Sequence, residues 1–294
     1  MREAVSPSTG GRYPFTMICS VYRLARSSGY ASGHGSRPVV QRRGPKVKVS
    51  DQELLVQIRE VLAGEAFSSE GHRKAWARLR FRGIRAGKGR VRRLMRENRL
   101  LAPQRRSKRP HGDPSHTGQI IEQKPNRMWG TDGTRFETEK DGWCWFFLAI
   151  DHAEDYVVGH HVAKIGDRFA ALEPIRQGIV ASFGEFSKNI ANGLLLRMDW
   201  GTQYTSDTFR NEIRFVGGTI SHSFVREPQC NGVAERFMRT LKEECLWLHR
   251  FVDLEHARRV IAEFIDRYNR QWIIERLGYR TPAQARTDLL TQAA

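Results

Sequence analysis

The run Trp143-Cys144-Trp145-Phe146-Phe147-Leu148-Ala149-Ile150, near the middle of the chain, contains only apolar residues. Such a run is typical of a β-strand that is buried on both faces, as in sheets that carry helices on either side. The preceding segment Lys140-Asp141-Gly142 predicts a hairpin turn, so a strand at Arg127–Glu137 is expected to pair antiparallel with the apolar strand. We therefore expect a sheet between layers of helices.

Strands and helices alternate after this hairpin. The apolar spacing predicts, in order, a strand at Tyr156–Val162, a helix at Phe169–Phe183, a strand at Leu194–Met198, a helix at Asp207–Val216, a strand at Thr219–Ser223 and two long helices at 232–249 and 254–270. Because three strands come first and the later strands alternate with helices, the sequence predicts an α/β domain. Its sheet would be mixed and five-stranded, with the first strands antiparallel.

Three carboxylates occupy notable places in this pattern. Asp132 lies on the first strand within Met128-Trp129-Gly130-Thr131-Asp132-Gly133-Thr134, Asp199 directly follows the fourth strand, and Glu235 lies near the start of a helix. If the first and fourth strands are neighbours, Asp132 and Asp199 point into one crevice. Carboxylate oxygens are the ligands that Mg²⁺ prefers, and two such ions can promote displacement at a phosphodiester. The sequence therefore predicts a metal site for two Mg²⁺ ions, with Mn²⁺ as a substitute.

Two basic residues are expected beside Glu235 on the same helix. At about 100° per residue, Lys242 lies about 20° from Glu235 and Arg239 about 40° from it. An ordinary pair of solvated charges is the alternative for Glu235 and Lys242 taken alone. The opposite arc of the helix is apolar and is expected to face the core: Phe237, Leu241 and Leu248.

The net charge of +17 is confined to the first part of the chain. Residues 1–125 contain 27 Lys and Arg against 9 Asp and Glu, whereas residues 126–294 contain 22 against 23. The density is highest from Ser69 to Arg109, with 16 basic and 2 acidic residues. A block this basic indicates a polyanionic partner, most simply nucleic acid. A solvated basic face without a special role is the alternative.

The basic block also has the pattern of a small helical domain. Ser50-Asp51-Gln52-Glu53 predicts a capping box at the start of a helix at 51–63, and further helices are expected at 71–82 and 88–98 around a glycine-containing turn. This pattern favours a helix-turn-helix module over a plain three-helix bundle, because its outer face is rich in arginine. The side chains expected to contact DNA phosphates are Arg73, Lys74, Arg78, Arg90, Arg92, Arg93 and Arg96.

These patterns divide the chain into five parts. We expect a flexible segment at 1–46 with a short helix at Phe15–Leu24, a helix-turn-helix domain at 47–103, a basic linker at 104–125, a catalytic core at 126–285 and a tail at 286–294. No apolar run approaches the about 20 residues that span a bilayer, so no membrane partner is expected. The four cysteines form no Cys-x-x-Cys pair, which argues against a disulfide scaffold or zinc module and fits a reducing cytosol.

The sequence resembles the B-frame transposases of bacterial insertion sequences, which share the retroviral-integrase core. The resemblance covers about residues 50–285. It is carried by Gly201, Gln203 and Tyr204 after Asp199, by Asn231-Gly232-Val233-Ala234-Glu235-Arg236-Phe237, by Thr240-Leu241-Lys242-Glu243, by Arg267-Tyr268-Asn269 and Leu277-Gly278-Tyr279-Arg280-Thr281-Pro282, and in the basic module by Gly71-His72-Arg73-Lys74-Ala75-Trp76 and Leu94-Met95-Arg96-Glu97-Asn98.

The resemblance implies a ribonuclease-H-like fold with Asp132, Asp199 and Glu235 as the catalytic and metal-binding triad. It implies that Lys242 contacts DNA, and we expect Arg239, Gln203 and Asn231 to do so as well. Two departures leave the triad intact: Arg197-Met198 stands where many relatives have His-Ser, and Gly232-Val233-Ala234 stands where many have Asp-Asn-Ala.

The implied function is Mg²⁺-dependent cleavage and strand transfer by the transposase of an insertion element. Its partners would be double-stranded DNA at the element ends and target, further copies of the chain on that DNA, and an upstream-frame protein as a fusion. The expected location is the bacterial cytoplasm, at the nucleoid. A DNA-binding regulator or transposition inhibitor with a catalytically silent core is the alternative, because a fold does not fix a function.

Overall fold

A computed structural model describes residues 5–26, 49–64, 67–68, 70–102, 122–222 and 231–293. Residues Met1–Val49 and Ser50–Ala294 form two separate compact units. In the first unit, the expected short helix is present as α1 (Phe15–Val21). The predicted basic linker lies mostly outside the described residues, as does most of the predicted flexible segment.

The second unit begins with three helices, α2 (Asp51–Ala63), α3 (His72–Phe81) and α4 (Lys88–Glu97). The capping box is confirmed, since Glu53 N donates to Ser50 Oγ at 3.2 Å and Ser50 N donates to Glu53 Oε2 at 2.8 Å. The apolar sides of all three helices are buried against one another, among them Leu54, Leu79 and Leu94. This packing follows from apolar residues that recur at helical spacing.

The sheet contains the five predicted strands, and a helix or helices follow each strand from the third onward. The strands are β1 (Met128–Thr138), β2 (Gly142–Asp151), β3 (Val157–Ala163), β4 (Leu195–Met198) and β5 (Thr219–His222). The helices are α5 (Arg168–Phe183), α6 (Thr202–Thr205), α7 (Asp207–Phe215), α8 (Gly232–Leu241), α9 (Leu254–Gln271) and α10 (Pro282–Ala293).

The strand order is β3-β2-β1-β4-β5. β2 pairs antiparallel with β1 and with β3, whereas β4 pairs parallel with β1 and with β5. The expected ribonuclease-H-like mixed sheet is thereby confirmed, and β1 is its central strand.

Helices cover both faces of the sheet, and alternate residues of β2 enter different cores. Phe146, Leu148 and Ile150 pack with α8 and α9, whereas Phe147 and Ala149 pack with α5 and α7. Alternate side chains of a strand point to opposite faces, so an uninterrupted apolar strand supplies both layers. The predicted burial of this run on both faces is confirmed in its central part, while Trp143 at its start remains 58% exposed.

The predicted long helix at 232–249 is wrong in its second half. The α-helix ends at Leu241 and continues as one π-helical segment, Lys242–Leu246. A π-turn carries more residues per turn than an α-turn, so it changes the direction of the side chains that follow. Leu248, which the apolar spacing places in the core, is 59% exposed.

Among the described residues, no helix is long and apolar enough to cross a membrane. The thiols of Cys19, Cys144 and Cys245 are free and buried, and Cys230 lies outside the described residues.

A cluster of buried charges joins the C-terminal helix to the end of β2. Arg286 of α10 donates to Glu154, to Asp151 Oδ2 at 3.3 Å and to Asn126 Oδ1 at 2.7 Å. Both carboxylate side chains are fully buried. The pKa of Glu154 is raised to about 8, chiefly by burial and then by the neighbouring charge of Asp151, against the opposing effect of Arg286.

This cluster predicts a pH-dependent stability difference between the wild type and Glu154→Gln. The folded state binds the Glu154 proton more tightly than the unfolded state, because the pKa rises from 4.5 to about 8 on folding. The contribution of Glu154 to stability is therefore present below its unfolded pKa and is lost as the pH rises toward its folded pKa. Urea denaturation at about pH 5 and about pH 8 should show that Glu154→Gln gains stability relative to wild type at the higher pH. A difference that does not change with pH would contradict the assignment.

Candidate active site

The pairing of β1 with β4 brings two of the three carboxylates to one place. Gly130 is paired with Arg197 in parallel register, so Asp132 and Asp199, each two residues further along, lie at the same level of the sheet. Each is fixed by a local hydrogen bond, from Gly133 N to Asp132 Oδ1 at 2.8 Å and from Gly201 N to Asp199 Oδ1 at 2.9 Å.

Glu235 is presented by the first turn of α8, on the face of the sheet to which Asp132 points. Glu235 and Asp199 are exposed, whereas Asp132 is half-buried between them and the sheet. Burial raises the pKa of Glu235, and the guanidinium of Arg239 opposes that rise. The structure therefore presents one recessed carboxylate and two accessible ones.

The pKa of Asp132 is raised to about 6, chiefly by burial. The Gly133 N–H bond lowers it, the negative charges of Asp199 and Glu235 raise it, and Lys242 lowers it. Asp199, Glu235 and Lys242 thus all lie within electrostatic range of Asp132. A carboxylate with a raised pKa beside two others marks a region of negative potential that a cation would relieve.

The residues present fit a divalent metal in the chemistry of their donors. Three carboxylates offer the hard oxygen ligands that Mg²⁺ takes. Burial is the main cause of the raised pKa of Asp132, and the negative charges of Asp199 and Glu235 add to it. Within the described part of the chain, however, no three His, Cys, Asp or Glu side chains lie close enough together to hold one ion. Asp199 and Glu235 lie within electrostatic range of Asp132, but the oxygen atoms of the three carboxylates do not converge on one metal position.

The segment after Asp199 is anchored by Tyr204, which is fully buried. Its hydroxyl lies 3.4 Å from Thr131 Oγ1, and its ring packs edge-on against Phe147 and Phe209 at 6.5 and 5.4 Å between centroids. A β-carbon on Gly201 would lie 2.8 Å from Gln203 Nε2 and 3.0 Å from Asp199 Oδ1. The Gln203 amide, predicted to contact DNA, therefore lies beside Asp199.

The predicted DNA contacts of α8 are placed differently. Arg239 is exposed and Lys242 is partly exposed, at the start of the π-helical segment. Asn231 is only 5% exposed, and its Nδ2 donates to the main-chain oxygen of Thr131 at 3.1 Å. Arg239 and Lys242 can thus reach a ligand from the surface, whereas Asn231 faces the interior.

Lys74 and Arg78, which were expected to contact DNA phosphates, do not face outward, because both turn toward the core domain. Arg78 donates to the fully buried carboxylate of Glu70 at 2.7 Å and to the main-chain oxygen of Gln271 at 3.1 Å. The ammonium of Lys74 lies 2.8 Å from the centre of the Trp272 ring, and burial lowers its pKa to about 7. A buried carboxylate needs positive partners, so Glu70 draws both side chains inward.

Other contacts also hold α3 against the core domain. Phe67 packs edge-on against Trp272 at 4.8 Å between ring centroids. Ser68 N and Oγ donate to the buried Glu244 at 2.8 and 3.0 Å. Arg73 pairs with Glu275 at 2.7 Å. The predicted basic contacts of α3 are therefore engaged in packing and ion pairs within the chain.

The predicted contacts of α4 fall into two groups. Arg90 and Arg93 both bind Asp51, at 2.6 Å each, and those bonds lower the pKa of Asp51. Arg92 and Arg96 are exposed, and neither has an ion pair with another described residue. Of the seven basic side chains predicted from the sequence, these two present the least compensated charge.

Sequence reasoning missed His152, which is 2% exposed and follows β2 directly. His152 stands between Asp151 and Ala153 in a segment that is typical of an ordinary turn. No sequence signal marked it as part of the site. A β-carbon on Gly130 would lie 2.8 Å from His152 Nε2, so the ring lies on the same face of β1 as Asp132.

Comparison with known protein families matches both parts of the second unit. The family described as an HTH-like domain matches residues 50–108. The family described as an integrase core domain matches residues 216–282.

Curated relatives are insertion-element transposases. The chain is 27% identical over 240 residues to the transposase InsD for insertion element IS2A/D/F/H/I/K of Escherichia coli, covering 80% of this chain and 78% of the relative. The identity is the same for InsD of insertion element IS2-9 in Escherichia coli strain K12, with 76% of that relative covered.

Solved structures with some similarity are viral integrases. The simian T-cell lymphotropic virus intasome in complex with PP2A regulatory subunit B56 gamma is 18% identical, with a TM-score of 0.46 and coverage of 72% of this chain and 70% of that chain. The catalytic core domain of BIV integrase is 19% identical, with a TM-score of 0.43 and coverage of 57% of this chain and 98% of that chain.

The electrostatics of the site predict the titration of Asp132 in the metal-free protein. Carboxyl ¹³C shifts measured with a chelator should give a midpoint near 6. Asp199→Asn and Glu235→Gln should each lower that midpoint because each removes a negative charge, and Lys242→Met should raise it. Asp51 serves as an internal control that should titrate below its usual range. An Asp132 midpoint at the ordinary 3.8 would show that the side chain is not recessed among the other charges.

Proposed function

We propose that this chain, a homologue of insertion-element transposases that combines an HTH-like domain with an integrase core, cleaves and joins DNA with the carboxylates of Asp132, Asp199 and Glu235. Enzymes of the transposase/integrase family are polynucleotidyl transferases, and the similarity to InsD transposases and to the integrase core supports the same reaction class for this chain. The observation that supports the proposed triad is the parallel register that sets Asp132 level with Asp199, on the face of the sheet covered by the helix of Glu235.

The three carboxylates would hold two Mg²⁺ ions, or Mn²⁺ in their place. Bound metal would lower the pKa of an attacking water and stabilise charge on the phosphodiester oxygens. A hydrolytic step would free a DNA 3′-hydroxyl, and attack of that hydroxyl on a second phosphodiester would join the strands.

The chain's own residues account for the electrostatics of substrate binding. Asp132, with its raised pKa, binds a cation in competition with a proton, so metal loading is expected to improve as the pH rises above about 6. Lys242 and Arg239 line the exposed side of the site and would bind phosphates of the DNA end. Gln203, beside Asp199, is suited to a hydrogen bond with a base or sugar of that DNA.

Double-stranded DNA would contact the N-terminal helices mainly through α4. In a helix-turn-helix module the second helix lies in the major groove, and α4 carries the exposed Arg92 and Arg96. Element ends and target DNA are the proposed partners, with several copies of the chain assembled on them. We place this activity at bacterial chromosomal DNA, and a fusion with an upstream-frame protein is a further proposal.

A DNA-binding regulator with a silent core is the second candidate. One observation favours it, namely that the carboxylates of the described residues are not gathered closely enough to hold an ion. Incubation of the full chain with a labelled end-bearing duplex separates the two candidates. The enzyme cleaves in Mg²⁺ and not in EDTA, whereas the regulator binds the duplex in both and leaves it intact.

Loss of any triad carboxylate should abolish chemistry without abolishing DNA binding. We expect Asp132→Asn, Asp199→Asn and Glu235→Gln each to reduce cleavage and strand transfer at least about 100-fold, as when one electrostatic stabiliser of a transition state is removed. Gel-based cleavage and a binding assay in EDTA measure the two properties separately. Glu263→Gln, an exposed glutamate on α9, is the matched control and should behave as wild type. Normal cleavage by any triad variant would remove that residue from the triad.

The two groups of arginines on α4 should differ in their effect on salt dependence. Arg92→Ala with Arg96→Ala should flatten the slope of log affinity against log salt by about 2, or about 0.9 for each phosphate that is no longer neutralised. Arg90→Ala with Arg93→Ala removes the same formal charge from the same helix, but those arginines are already paired with Asp51. The second double variant should therefore leave the slope close to wild type. Equal slopes for the two double variants would place the DNA-binding surface elsewhere.

A further inference from the structure

Helix α8 meets strand β1 at the two residues that precede Asp132. Asn231 Nδ2 donates to the main-chain oxygen of Thr131 at 3.1 Å. A β-carbon on Gly130 would lie 3.4 Å from the Cβ of Ala234. Thr131 directly precedes Asp132, and Ala234 directly precedes Glu235, so this contact joins the backbones that carry two of the three carboxylates.

Asn231 occupies the N-cap of α8 without capping it. Its side chain makes no hydrogen bond to the helix backbone, although an N-cap asparagine usually accepts from the second or third N–H of its helix. The carboxamide instead spans to β1 and is 5% exposed. The residue therefore serves the contact between helix and strand.

Two polar atoms border the space in front of Gly130. A β-carbon at this position would lie 2.7 Å from Asn231 Oδ1 and 2.8 Å from His152 Nε2. Both atoms therefore border the same small volume, which only a glycine leaves free. Any larger residue would press the carboxamide and the imidazole apart.

His152 supplies the group that the Asn231 oxygen requires. Among the described residues, Asn231 Oδ1 and both ring nitrogens of His152 have no hydrogen-bond partner, whereas nearly all buried polar atoms are paired in folded proteins. Burial, with Arg197 and Arg276 nearby, lowers the pKa of His152 to about 4, so the ring is neutral and carries one N–H and one acceptor. With the proton on Nε2, the ring can donate to Asn231 Oδ1 through one bridging water molecule.

We propose that Asn231 is a positioning residue that sets the spacing between Asp132 and Glu235, and that His152 supports it from the end of β2. The proposal rests on the proposed function of the triad. Asn231 itself is too deeply buried to touch DNA. Its role is to hold α8, which carries Glu235, at a fixed distance from β1, which carries Asp132. Residues that orient metal ligands in this way typically contribute 10-fold to 100-fold in metal affinity.

The chain contains a matched control for this role. Asn269 is 6% exposed and also clamps a helix to a strand, because it accepts from Val157 N at 3.0 Å and donates to Val157 O at 3.1 Å. It joins α9 to β3, at a place that carries none of the three carboxylates. Loss of Asn231 and loss of Asn269 thus remove comparable buried clamps, and only the first is next to the triad.

The test is Mn²⁺ binding by the full chain, followed by electron paramagnetic resonance, with the thermal midpoint of unfolding measured on the same samples. Asn231→Ala should weaken Mn²⁺ binding about 10-fold to 100-fold. Asn269→Ala, which removes two buried hydrogen bonds against one for Asn231→Ala, should lower the thermal midpoint at least as much and leave Mn²⁺ affinity unchanged. Gly130→Ala should weaken Mn²⁺ binding as Asn231→Ala does. His152→Gln, which keeps an N–H donor, should retain more affinity than His152→Ala.

The outcomes separate this proposal from the proposed function. Asp132→Asn should lose Mn²⁺ binding and cleavage together; if it keeps both, the triad assignment itself fails. If Asp132→Asn loses both while Asn231→Ala and Gly130→Ala bind Mn²⁺ as wild type does, the triad stands and the positioning role is overturned.

Equal losses of Mn²⁺ affinity for Asn231→Ala and Asn269→Ala would also overturn the positioning role, since the effect would then follow from stability alone. If Asn231→Ala does not fold, the two His152 variants decide, and equal affinity in both opposes the proposal.

Discussion

The parallel pairing of β1 with β4 is the constraint on which the candidate site depends. It involves only three residue pairs, from Met128 with Leu195 to Gly130 with Arg197, yet it alone sets the level of Asp199 relative to Asp132. β1 can hold this register because its other edge is paired along ten residues of β2. The fully buried Trp129, whose Nε1 donates to Asp151 Oδ2 at 3.1 Å, fixes the strand within the layers. A slip of one residue would turn Asp132 to the opposite face.

Folding gains nothing from placing two carboxylates near a third that is half-buried. Burial and the charges of Asp199 and Glu235 raise the pKa of Asp132, which means that the ionised form is less stable there than in water. Other buried acids of this chain have paired cations, as Glu70 has Arg78 and Asp155 has Arg276. Within the described part of the chain, the cations that act on the candidate carboxylates Asp132 and Glu235 are Lys242 and Arg239, respectively. Perturbed acids in an accessible place are typical of functional sites, and the contrast within one chain makes the inference specific.

The sequence predicts the strands and most helices because their signal is periodic burial, and each predicted strand lies within about one residue of its observed bounds. It fails where the backbone departs from ideal geometry. The apolar spacing through Leu248 fits a continuous α-helix, and nothing in that spacing shows the π-turn at Lys242–Leu246. It fails also where polar residues are internal. Asn231 and His152 both stand in segments that are typical of loops. Their burial follows from the packing of α8 on β1, and no local sequence pattern encodes that packing.

Charge density alone does not separate a DNA-binding surface from a packing surface. Glu70 is one of two acidic residues from Ser69 to Arg109, and its spacing of four and eight residues to Lys74 and Arg78 is the one local sign that these cations have a protein partner. Their burial attaches α3 to the core domain through Trp272 and Gln271. The position of α4 relative to the triad is consequently fixed by buried contacts instead of by a connecting segment. A helix-turn-helix module needs its second helix for DNA, so its first helix is available to dock on the core. In the proposed function, DNA held by α4 would therefore lie at a defined distance from Asp132.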